Sequence, residues 1–402
     1  MDIVFLGGIF SSSEAEMIIN DSIGPIQNAA DSLQKKYLDG LAENESVNSL
    51  SVINLPFIGG YPGSYKEKTF TPRAKKSNYN GVKVDNIKFI NVKGFKHMAR
   101  FWGAFVSIRT ILKYKKDIKV ICYSMHLPFL LACYINKIFN SRIKFYVIIP
   151  DLPEYMSERV GINAFFYRLV NRLSYSIVNK SSGISVITNA MVNRFSKNLN
   201  HVLIEGISSS ERFYYNMGDE YLSFYCSEPF FLYSGTLDRR YGIRNLIESY
   251  SDSGVSNVKL YICGDGNDRD YVVEKSNDIK NVIYLGQLER EKVLALQSMA
   301  LALVNPRSNN DEFTKYSFPS KVLEYMSSGV PVIMYKLDGI PSEYDSLYFK
   351  VEDEGDLKYV LKKVSGFSKE YLFECGLKAK EFVSEHKCAS KQVSKLVSIM
   401  KV

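Results

Sequence analysis

Apolar residues along this chain alternate between two spacings. Short continuous apolar runs, which have the length of buried strands, are separated by longer stretches with apolar residues at every third or fourth position, as on one helix face. In the first half, the predicted strands are 2–6, 50–55, 84–92, 119–123, 143–149, 183–187 and 201–204, and the predicted helices are 26–41, 97–115, 128–139, 162–179 and 190–199. This alternation predicts an α/β fold with a doubly wound parallel sheet.

The same alternation restarts in the second half of the chain. Residues 205–229 interrupt the pattern, and residues 56–82 form a long predicted loop rich in glycine, proline and basic residues. After residue 229, the predicted strands are 230–233, 258–263, 282–285, 300–304 and 330–335. Because 402 residues are too many for a typical single core, we expect two α/β domains joined near residues 205–229.

Positive charge is concentrated in one region of the first half. The chain has a formal net charge of +8, and residues 61–120 contain 15 lysines or arginines against three acidic residues. Phe101, Trp102 and Phe105 lie among these charges. The pattern predicts contact with an anionic membrane surface, although solvated helix faces would have the same composition. Since no nucleic-acid-binding module accompanies the charge, we expect no nucleic acid partner.

Three further features bear on location and metal binding. The apolar run at residues 2–6 is too short for a secretory signal, and the longest one, at 120–135, is too short for a membrane span. The cysteines and histidines are scattered, without the spacing of a metal site. We therefore expect a cytoplasmic protein without a metal, peripherally placed on the inner face of the plasma membrane.

The most informative stretch is residues 318–332, FPSKVLEYMSSGVPV. Pro319 is placed to begin a helix, and Gly329 is placed to end it before a buried strand. Glu324 lies on this helix near the loop that follows the preceding strand. Its carboxylate can accept two hydrogen bonds from a vicinal diol such as a ribose, while the first-turn amides of the helix face a phosphate. The alternative is a solvated Glu324 that pairs with Lys321 one turn away.

This stretch resembles the donor-binding motif of the retaining GT-B glycosyltransferases of glycosyltransferase family four, in particular the bacterial surface-polysaccharide members. Their pattern F-P-S-K-x-x-E-Y-M-x-x-G-x-P-V is met by residues 318–332. The resemblance implies a GT-B fold, in which two Rossmann-like doubly wound parallel-sheet domains face a central cleft. The implied division is an acceptor-binding domain (1–205), a linker (206–229), a nucleotide-sugar-binding domain (230–380) and a C-terminal helix crossing back to the first domain (381–402).

The sequence departs from the family pattern at its first acidic residue. The family has two glutamates separated by seven residues, and Tyr316 occupies the first position here. Asp311 and Glu312 are the nearby acidic residues that could replace it.

A second departure concerns the family pattern G-R-x-x-x-x-K-G, whose arginine and lysine hold the donor diphosphate. Thr236 and Tyr241 occupy these two positions. The neighbouring Arg239 and Arg240 are our candidates to replace the lost charges, because a diphosphate without a metal needs basic side chains or helix-end amides. The alternative is a surface ion pair with Asp238.

The candidates in the first half lie where predicted strands end. His126 lies two residues before Pro128 and resembles the family's H-x-P motif, whose histidine faces the donor sugar; a core or helix-capping histidine is the alternative. Asp151 follows the strand at 143–149 and is an acceptor-side candidate or an ordinary turn residue. Gly8 follows the first strand, where a glycine pair allows close backbone approach or simply a tight turn.

These observations define the expected site. The residues are His126, Glu312 and Arg239 as catalytic groups, Asp151 on the acceptor side, and Gly8, Gly235, Thr236, Arg240, Gly264, Gly266, Phe318, Pro319, Ser320, Lys321 and Glu324 around the donor. For Gly264 and Gly266, which match the family's G-x-G turn, plain turn glycines are the alternative.

The resemblance implies a glycosyltransferase that moves a hexose-type sugar from a nucleotide-diphosphate sugar, with retention, to a hydroxyl of a growing, lipid-linked surface glycan such as a capsule, O-antigen or exopolysaccharide. The nucleotide sugar is a co-substrate, and no other cofactor is expected. Two alternatives remain open, a nucleotide-sugar epimerase of the same two-domain shape and a catalytically inactive GT-B protein that acts in assembly.

Overall fold

The computed structural model describes residues 1–115, 117–156, 162–208, 228–309 and 312–401. It divides into two compact units. The first comprises Met1–Ile207 and Ala389–Val402, and the second comprises Ser208–Cys388. Most of the predicted linker, at 209–227, lies outside the described residues.

The first unit is built on an eight-stranded sheet of order β10-β9-β8-β7-β1-β2-β5-β4. Its pairs are parallel except for β4 and β5. The strands, with a separate antiparallel pair β3–β6, are β1 (Asp2–Gly7), β2 (Ser49–Asn54), β3 (Thr69–Phe70), β4 (Lys76–Tyr79), β5 (Val82–Asn86), β6 (Phe89–Ile90), β7 (Lys119–Tyr123), β8 (Lys144–Ile149), β9 (Gly183–Val186) and β10 (His201–Leu203).

Helices connect these strands. They are α1 (Ala15–Asp21), α2 (Asn28–Ala42), α3 (Phe95–Leu112), α4 (Leu127–Phe139), α5 (Pro153–Met156), α6 (Ile162–Val178) and α7 (Asn189–Val192). Alternate strand residues such as Phe5 and Ile121 pack with Tyr37 and Leu41 of α2 in one buried core. This packing follows from the two-residue period of a strand, which sends alternate side chains to opposite faces of the sheet.

Three predictions for the first unit were wrong in detail. The loop predicted at 56–82 contains β3 and β4, and β4 forms a hairpin with β5 through Asn80 and Gly81, both at positive φ (46° and 85°). The single strand predicted at 84–92 is divided between β5 and β6, and the helix predicted at 190–199 is only the short α7. Strand β4 was missed because its side chains are exposed or half-buried, so no apolar alternation marks it.

The second unit contains a six-stranded, wholly parallel sheet of order β13-β12-β11-β14-β15-β16. Its strands are β11 (Phe230–Ser234), β12 (Lys259–Cys263), β13 (Val282–Tyr284), β14 (Ala302–Asn305), β15 (Val332–Tyr335) and β16 (Phe349–Val351). Its α-helices are α8 (Ile243–Asp252), α9 (Arg269–Asp278), α10 (Arg290–Met299), α11 (Ser320–Ser327), α12 (Leu357–Ser365) and α13 (Lys369–His386). The predicted doubly wound α/β architecture is confirmed in both units.

The helix after the second unit belongs to the first. Helix α14 (Ala389–Lys401) buries Val393, Leu396 and Met400 in the same core as Tyr37 of α2. Gly40 allows the close approach, because a Cβ there would lie 2.5 Å from the Ala389 carbonyl oxygen. The return to the first unit therefore begins at Ala389.

Candidate functional site

Glu324 lies on α11 and is held by side chains from two helices. Its Oε1 accepts hydrogen bonds from Gln297 Nε2 of α10 (2.8 Å) and Lys321 Nζ (2.7 Å). Its Oε2 has Arg290 Nη1 at 3.6 Å. The side chain is 19% exposed, so it is neither sealed in the core nor in bulk water.

The charges around Glu324 keep it ionised. Burial alone would raise the pKa of this carboxyl, but Lys321, the Gln297 amide and Arg290 together hold the pKa below its ordinary value. The ion pair with Lys321, which we considered as an alternative role for Glu324, is present. It occupies Oε1 and leaves Oε2 without a hydrogen bond to any described residue.

Sequence reasoning missed the residues that tie Glu324 to the end of β11. Gln297 Nε2 also donates to Ser234 Oγ (2.9 Å), and the Ser234 N–H donates to the Tyr325 hydroxyl (3.0 Å). Ser234 precedes Gly235, so this network places the carboxylate beside the carboxyl end of a parallel strand, where ligands bind in open α/β sheets. A glutamine within an otherwise apolar helix stripe was the available signal for Gln297, which is fully buried.

Helix α11 begins as the sequence predicts. Pro319 is the N-cap residue, Ser320 is the exposed first residue, and Gly329 has the left-handed φ (80°) of a helix C-terminal glycine. The Val322 N–H already donates to the Pro319 carbonyl oxygen (2.9 Å), so the Ser320 and Lys321 amides are the first-turn amides that remain available to an anion. Phe318 is buried, and its ring packs against that of Tyr344 with centroids 5.8 Å apart. This contact anchors the loop that precedes α11.

The loops after β11 and β12 pack backbone against backbone. A Cβ at Gly264 would lie 1.8 Å from the Gly235 carbonyl oxygen, and one at Gly266 would lie 2.3 Å from the Leu237 carbonyl oxygen. Gly235 and Leu237 donate N–H bonds to the partner loop as well. These contacts explain why Gly264 and Gly266 are glycines, whether or not a donor lies against them.

The two candidate arginines differ in their surroundings. Arg240 forms a bidentate pair with Asp238, with Nε and Nη2 at 3.0 and 2.9 Å from the two carboxylate oxygens. This pairing lowers the pKa of Asp238 to about 2. The Arg239 guanidinium is exposed and forms no ion pair with the described residues. Both line a cavity of about 350 Å³ with Arg244 and Asn267, and Thr236 is exposed nearby.

Of the two acidic residues that could replace the family's first glutamate, the structure describes one. Asp311 lies outside the described residues, and Glu312 is an exposed residue at the start of a 3-10 helix that ends at Tyr316. Arg307, which sequence reasoning missed, is buried in the same loop. Its guanidinium lies 4.6 Å from the Phe313 ring centroid and 5.7 Å from that of Tyr241, which occupies the family's lysine position.

His126 and Asp151 of the first unit line one cavity of about 1060 Å³. His126 is the N-cap residue of α4, and its ring packs edge-on against Phe129 and Phe57, with centroids 4.6 and 5.8 Å away. Burial, and then the neighbouring Arg100, His97 and Lys96, hold the pKa of His126 well below its ordinary value. The imidazole is therefore neutral at pH 7.

Asp151 follows β8 at the edge of the same cavity. Although the residue is exposed overall, partial removal of its carboxyl from water raises its pKa to about 6. A carboxyl with this pKa can exchange protons near neutral pH, as a general base on an acceptor hydroxyl would.

Ser124 lies in the same cavity and has an unusual backbone conformation. It follows β7, lines the cavity and has a φ of +66°, which is costly for a residue with a Cβ. Sequence reasoning gave no role to Ser124.

Gly8 has a packing role. A Cβ there would lie 2.5 Å from the Leu55 carbonyl oxygen, and the Gly8 N–H already donates to Gln34 Oε1 (2.8 Å). Because this N–H is already hydrogen-bonded, the predicted contact between Gly8 and the donor would be made by the Cα and not by the amide.

Within the described part of the chain, no three or more His, Cys, Asp or Glu side chains lie together so that they could hold a metal ion. The same residues form no helix that is long and apolar enough to cross a bilayer.

Residues 222–349 match the family model described as "Glycosyl transferases group 1". The matched segment lies within the second unit and covers less than half of the chain. This matched segment contains Gly235, both candidate arginines and Glu324. The search of curated proteins gave no match.

Solved structures share the fold of the whole chain. Sucrose-phosphate synthase from Thermosynechococcus elongatus matches with a TM-score of 0.64 at 14% identity, over 100% of this chain and 98% of that one. A trehalose-6-phosphate structure from E. coli, bound with UDP-2-fluoro glucose, has a TM-score of 0.66 at 8% identity, over 100% and 99%. The lipopolysaccharide outer core galactosyltransferase WaaB has a TM-score of 0.61 at 14% identity, over 100% and 99%. At these identities the likeness shows the fold, which is GT-B with two Rossmann-like units.

Proposed function

We propose that this protein is a glycosyltransferase that moves a hexose-type sugar from a nucleotide-diphosphate sugar to a hydroxyl of a growing, lipid-linked surface glycan, with retention at the anomeric carbon. The family match within the second unit supports the reaction class. The lipopolysaccharide galactosyltransferase among the structures of this fold supports the class of glycan.

The observation that carries the donor side is the arrangement of Glu324. One carboxylate oxygen is fixed by Gln297 and Lys321, whereas Oε2 forms only the longer ion pair with Arg290 (3.6 Å) among the described residues and can accept hydrogen bonds from a ligand. A fixed, ionised carboxylate at the carboxyl end of a strand suits two vicinal hydroxyls of a ribose. In this proposal the α11 amides and the exposed Arg239 bind the diphosphate.

The acceptor side of the proposal uses the cavity of the first unit. Asp151, with its raised pKa, accepts the proton of the attacking hydroxyl, directly or through the leaving phosphate. Neutral His126 faces the transferred sugar as a hydrogen-bonding group.

Peripheral membrane binding is the third part of the proposal. Helix α3 exposes Phe95, Met98 and Trp102, and α6 exposes Phe165 and Leu169 beside Arg168 and Arg172, which are themselves exposed. Exposed aromatic and aliphatic side chains next to basic ones suit the interface of an anionic bilayer.

The reaction is tested by nucleotide release from UDP-, GDP-, ADP- and CMP-sugars, with and without a membrane extract that supplies acceptors. We expect release from one donor, stimulated by the extract, and loss of that release in Glu324→Ala but not in Glu374→Ala, an exposed glutamate on α13. Donor binding without release under every condition would favour the inactive assembly protein. Recovery of an epimeric nucleotide sugar would favour the epimerase.

The membrane part has its own readout, because Trp102 is the only tryptophan of the chain. We expect its emission to shift to shorter wavelength with vesicles containing anionic lipid and not with neutral vesicles. Paired Phe165→Ser and Leu169→Ser substitutions should weaken vesicle binding, whereas Phe373→Ser, at an exposed phenylalanine of α13, should not. Equal binding by both variants would contradict a role for α6.

A further inference from the structure

One end of the cavity in the first unit collects positive charge. Its lining includes Lys96 and Arg100 of α3, which we call the cationic end, and beside them His97 and the neutral His126. Lys96 and Arg100 are four residues apart and so lie on one helix face. The His97 and His126 rings have centroids 5.8 Å apart.

Neither Lys96 nor Arg100 forms an ion pair with a carboxylate anywhere in the described ranges. Lys96 Nζ donates to the Ile58 carbonyl oxygen, and Arg100 Nη2 donates to the Pro56 carbonyl oxygen. Among the described residues, Asp151 is the only carboxylate that lines the cavity. Burial and then the neighbouring Arg100, His97 and Lys96 lower the pKa of His126.

Arg100 is 2% exposed, and its guanidinium is surrounded by aromatic rings. Its Cζ lies 4.9 to 5.9 Å from the ring centroids of Phe89, Phe57 and Phe129. Arg100 Nε and His126 Nδ1 are both buried and have no hydrogen-bond partner within the described part of the chain. A buried cation with an unused donor is unfavourable unless an anion completes it.

The rest of the cavity is largely apolar. Leu131 of α4, Phe101 of α3, and Phe166 and Val170 of α6 contribute to its lining. From α6 the other lining residues are Tyr167, Asn171 and Ser174, which add no formal charge. A ligand that fits both parts therefore carries an anionic group and an apolar portion.

We propose that Lys96 and Arg100 bind the phosphate or diphosphate ester of the acceptor, with the apolar wall beside them holding the group that carries the ester. This deepens the proposed function and rests on it for the word acceptor, but the binding itself requires no turnover. The phosphate could belong to a soluble sugar phosphate or to a prenyl lipid, and the two share the chemistry that the cationic end recognises.

Isothermal titration calorimetry of the full chain with four probes separates these sources. The probes are glucose 6-phosphate, glucose, geranyl diphosphate and geraniol. We expect each phosphorylated probe to bind at least about tenfold more tightly than its uncharged counterpart, since a charge-assisted bond to a buried cation is worth about 1.5–3 kcal/mol. The tighter of the two phosphorylated probes identifies the carrier.

Lys96→Met supplies the matched test. Phosphate affinity should fall about tenfold in this variant. Lys362→Met, at an exposed lysine of α12, should leave binding unchanged. Burial and Arg100 lower the pKa of Lys96 to about 7. A bound anion favours the charged amine, so the wild type should lose more affinity than Lys96→Met between pH 7 and pH 9. Arg100, whose pKa burial lowers to about 9, lies in the same cavity with His97, His126, Tyr123 and Asp151, and all five are present in both proteins of that comparison.

Equal affinity for the charged and uncharged members of each pair would overturn the proposal. Equal losses in the Lys96 and Lys362 variants would also overturn it. The outcome is independent of turnover: phosphate binding without sugar transfer would uphold this site and refute the proposed function, and transfer without phosphate binding would do the reverse.

Discussion

Buried charge is compensated by opposite charges in the Glu324 network of the second unit, whereas the cationic end of the first unit has no such compensation from the described residues. Glu324 is surrounded by Lys321, Arg290 and a glutamine amide, and these interactions keep its pKa low despite burial. Among the described residues, the partners of Lys96 and Arg100 are backbone carbonyl oxygens and aromatic rings, and burial lowers both pKa values, to about 7 and about 9.

This difference separates two kinds of binding residue. A carboxylate that is already compensated is held in place for a neutral ligand such as a diol and needs no counter-charge from it. Cations without compensation reduce the stability of the empty protein, and a ligand of opposite charge recovers that energy on binding. The first kind is part of a sequence motif, whereas the second becomes visible only when the helices are packed.

The largest expected effect concerns Glu324. Glu324→Ala removes the acceptor of two proposed ribose hydrogen bonds, so nucleoside-diphosphate affinity should fall by about 100-fold. Glu324→Gln keeps oxygen and shape and should cost about tenfold. Calorimetry with the nucleoside diphosphate measures both, and Glu374→Ala is the control. A loss below threefold in the alanine variant would remove Glu324 from the donor site.

The same substitution at two lysines should have opposite effects on stability. Lys96→Met removes a poorly compensated buried charge and should raise the free energy of unfolding by about 1–2 kcal/mol at pH 7. Lys321→Met removes the partner of Glu324 and should lower it by about 1 kcal/mol. Denaturant titrations measure both, and changes of the same sign would contradict the contrast between the two regions.

The Lys96 effect also has a predicted pH window. The unfolded chain holds this proton up to about pH 10.4, whereas the folded chain releases it near pH 7. The free energy of unfolding of the wild type therefore rises between these two pH values because of Lys96. The stability gained by Lys96→Met should accordingly shrink as pH increases from 7 to 10. A gain that is constant across this range would mean that Lys96 is not the titrating group.

Asp151 should give a smaller effect. Its raised pKa means that the folded state favours the protonated carboxyl, so its contribution to stability is present below about pH 4 and is lost as pH rises through 6. Asp151→Asn should therefore stabilise the protein at pH 8 by about 1 kcal/mol, a value reduced for solvent screening, and change little at pH 4. It should also abolish a rise of kcat/KM near pH 6, and a persistent rise would assign that proton elsewhere.

The smallest effect is expected at Ser124. Ser124→Gly relieves the positive φ but makes the unfolded chain more flexible, so we expect a net stabilisation of about 0.5 kcal/mol. Ser124→Val, which is strained at this φ, should destabilise by more than 1 kcal/mol. Thermal unfolding of the two variants checks the sign of each change.

The sequence predicted the helix that carries Glu324 because that information is local. The prolyl N-cap, the Gly329 terminus and the Lys321 partner all lie within one turn or two of the carboxylate, so spacing alone determines them. The alternation of strands and helices in both units was predictable for a similar reason, since continuous apolar runs identify buried parallel strands. The order of the strands within each sheet was not predicted, because apolar runs do not determine which strands are neighbours.

Other features depend on contacts that spacing does not reveal. Gln297 reaches Glu324 from another helix, and the rings around Arg100 come from separate elements. The β4–β5 hairpin is different, because Asn80-Gly81 is a strong local turn signal that was overlooked within a polar loop. The roles of Glu312, Arg239 and His126 remain predictions for the same physical reason, since a bound donor would determine which of them it contacts.

The return of α14 to the first unit affects how the chain is made. Val393, Leu396 and Met400 are synthesised only after the whole of the second unit, yet they complete the core that contains Phe5. On the ribosome, the amino-terminal unit must therefore wait for its last helix, while the unit translated later already has its complete sequence. A stop codon just before Ala389 would consequently damage the half of the molecule that was translated first.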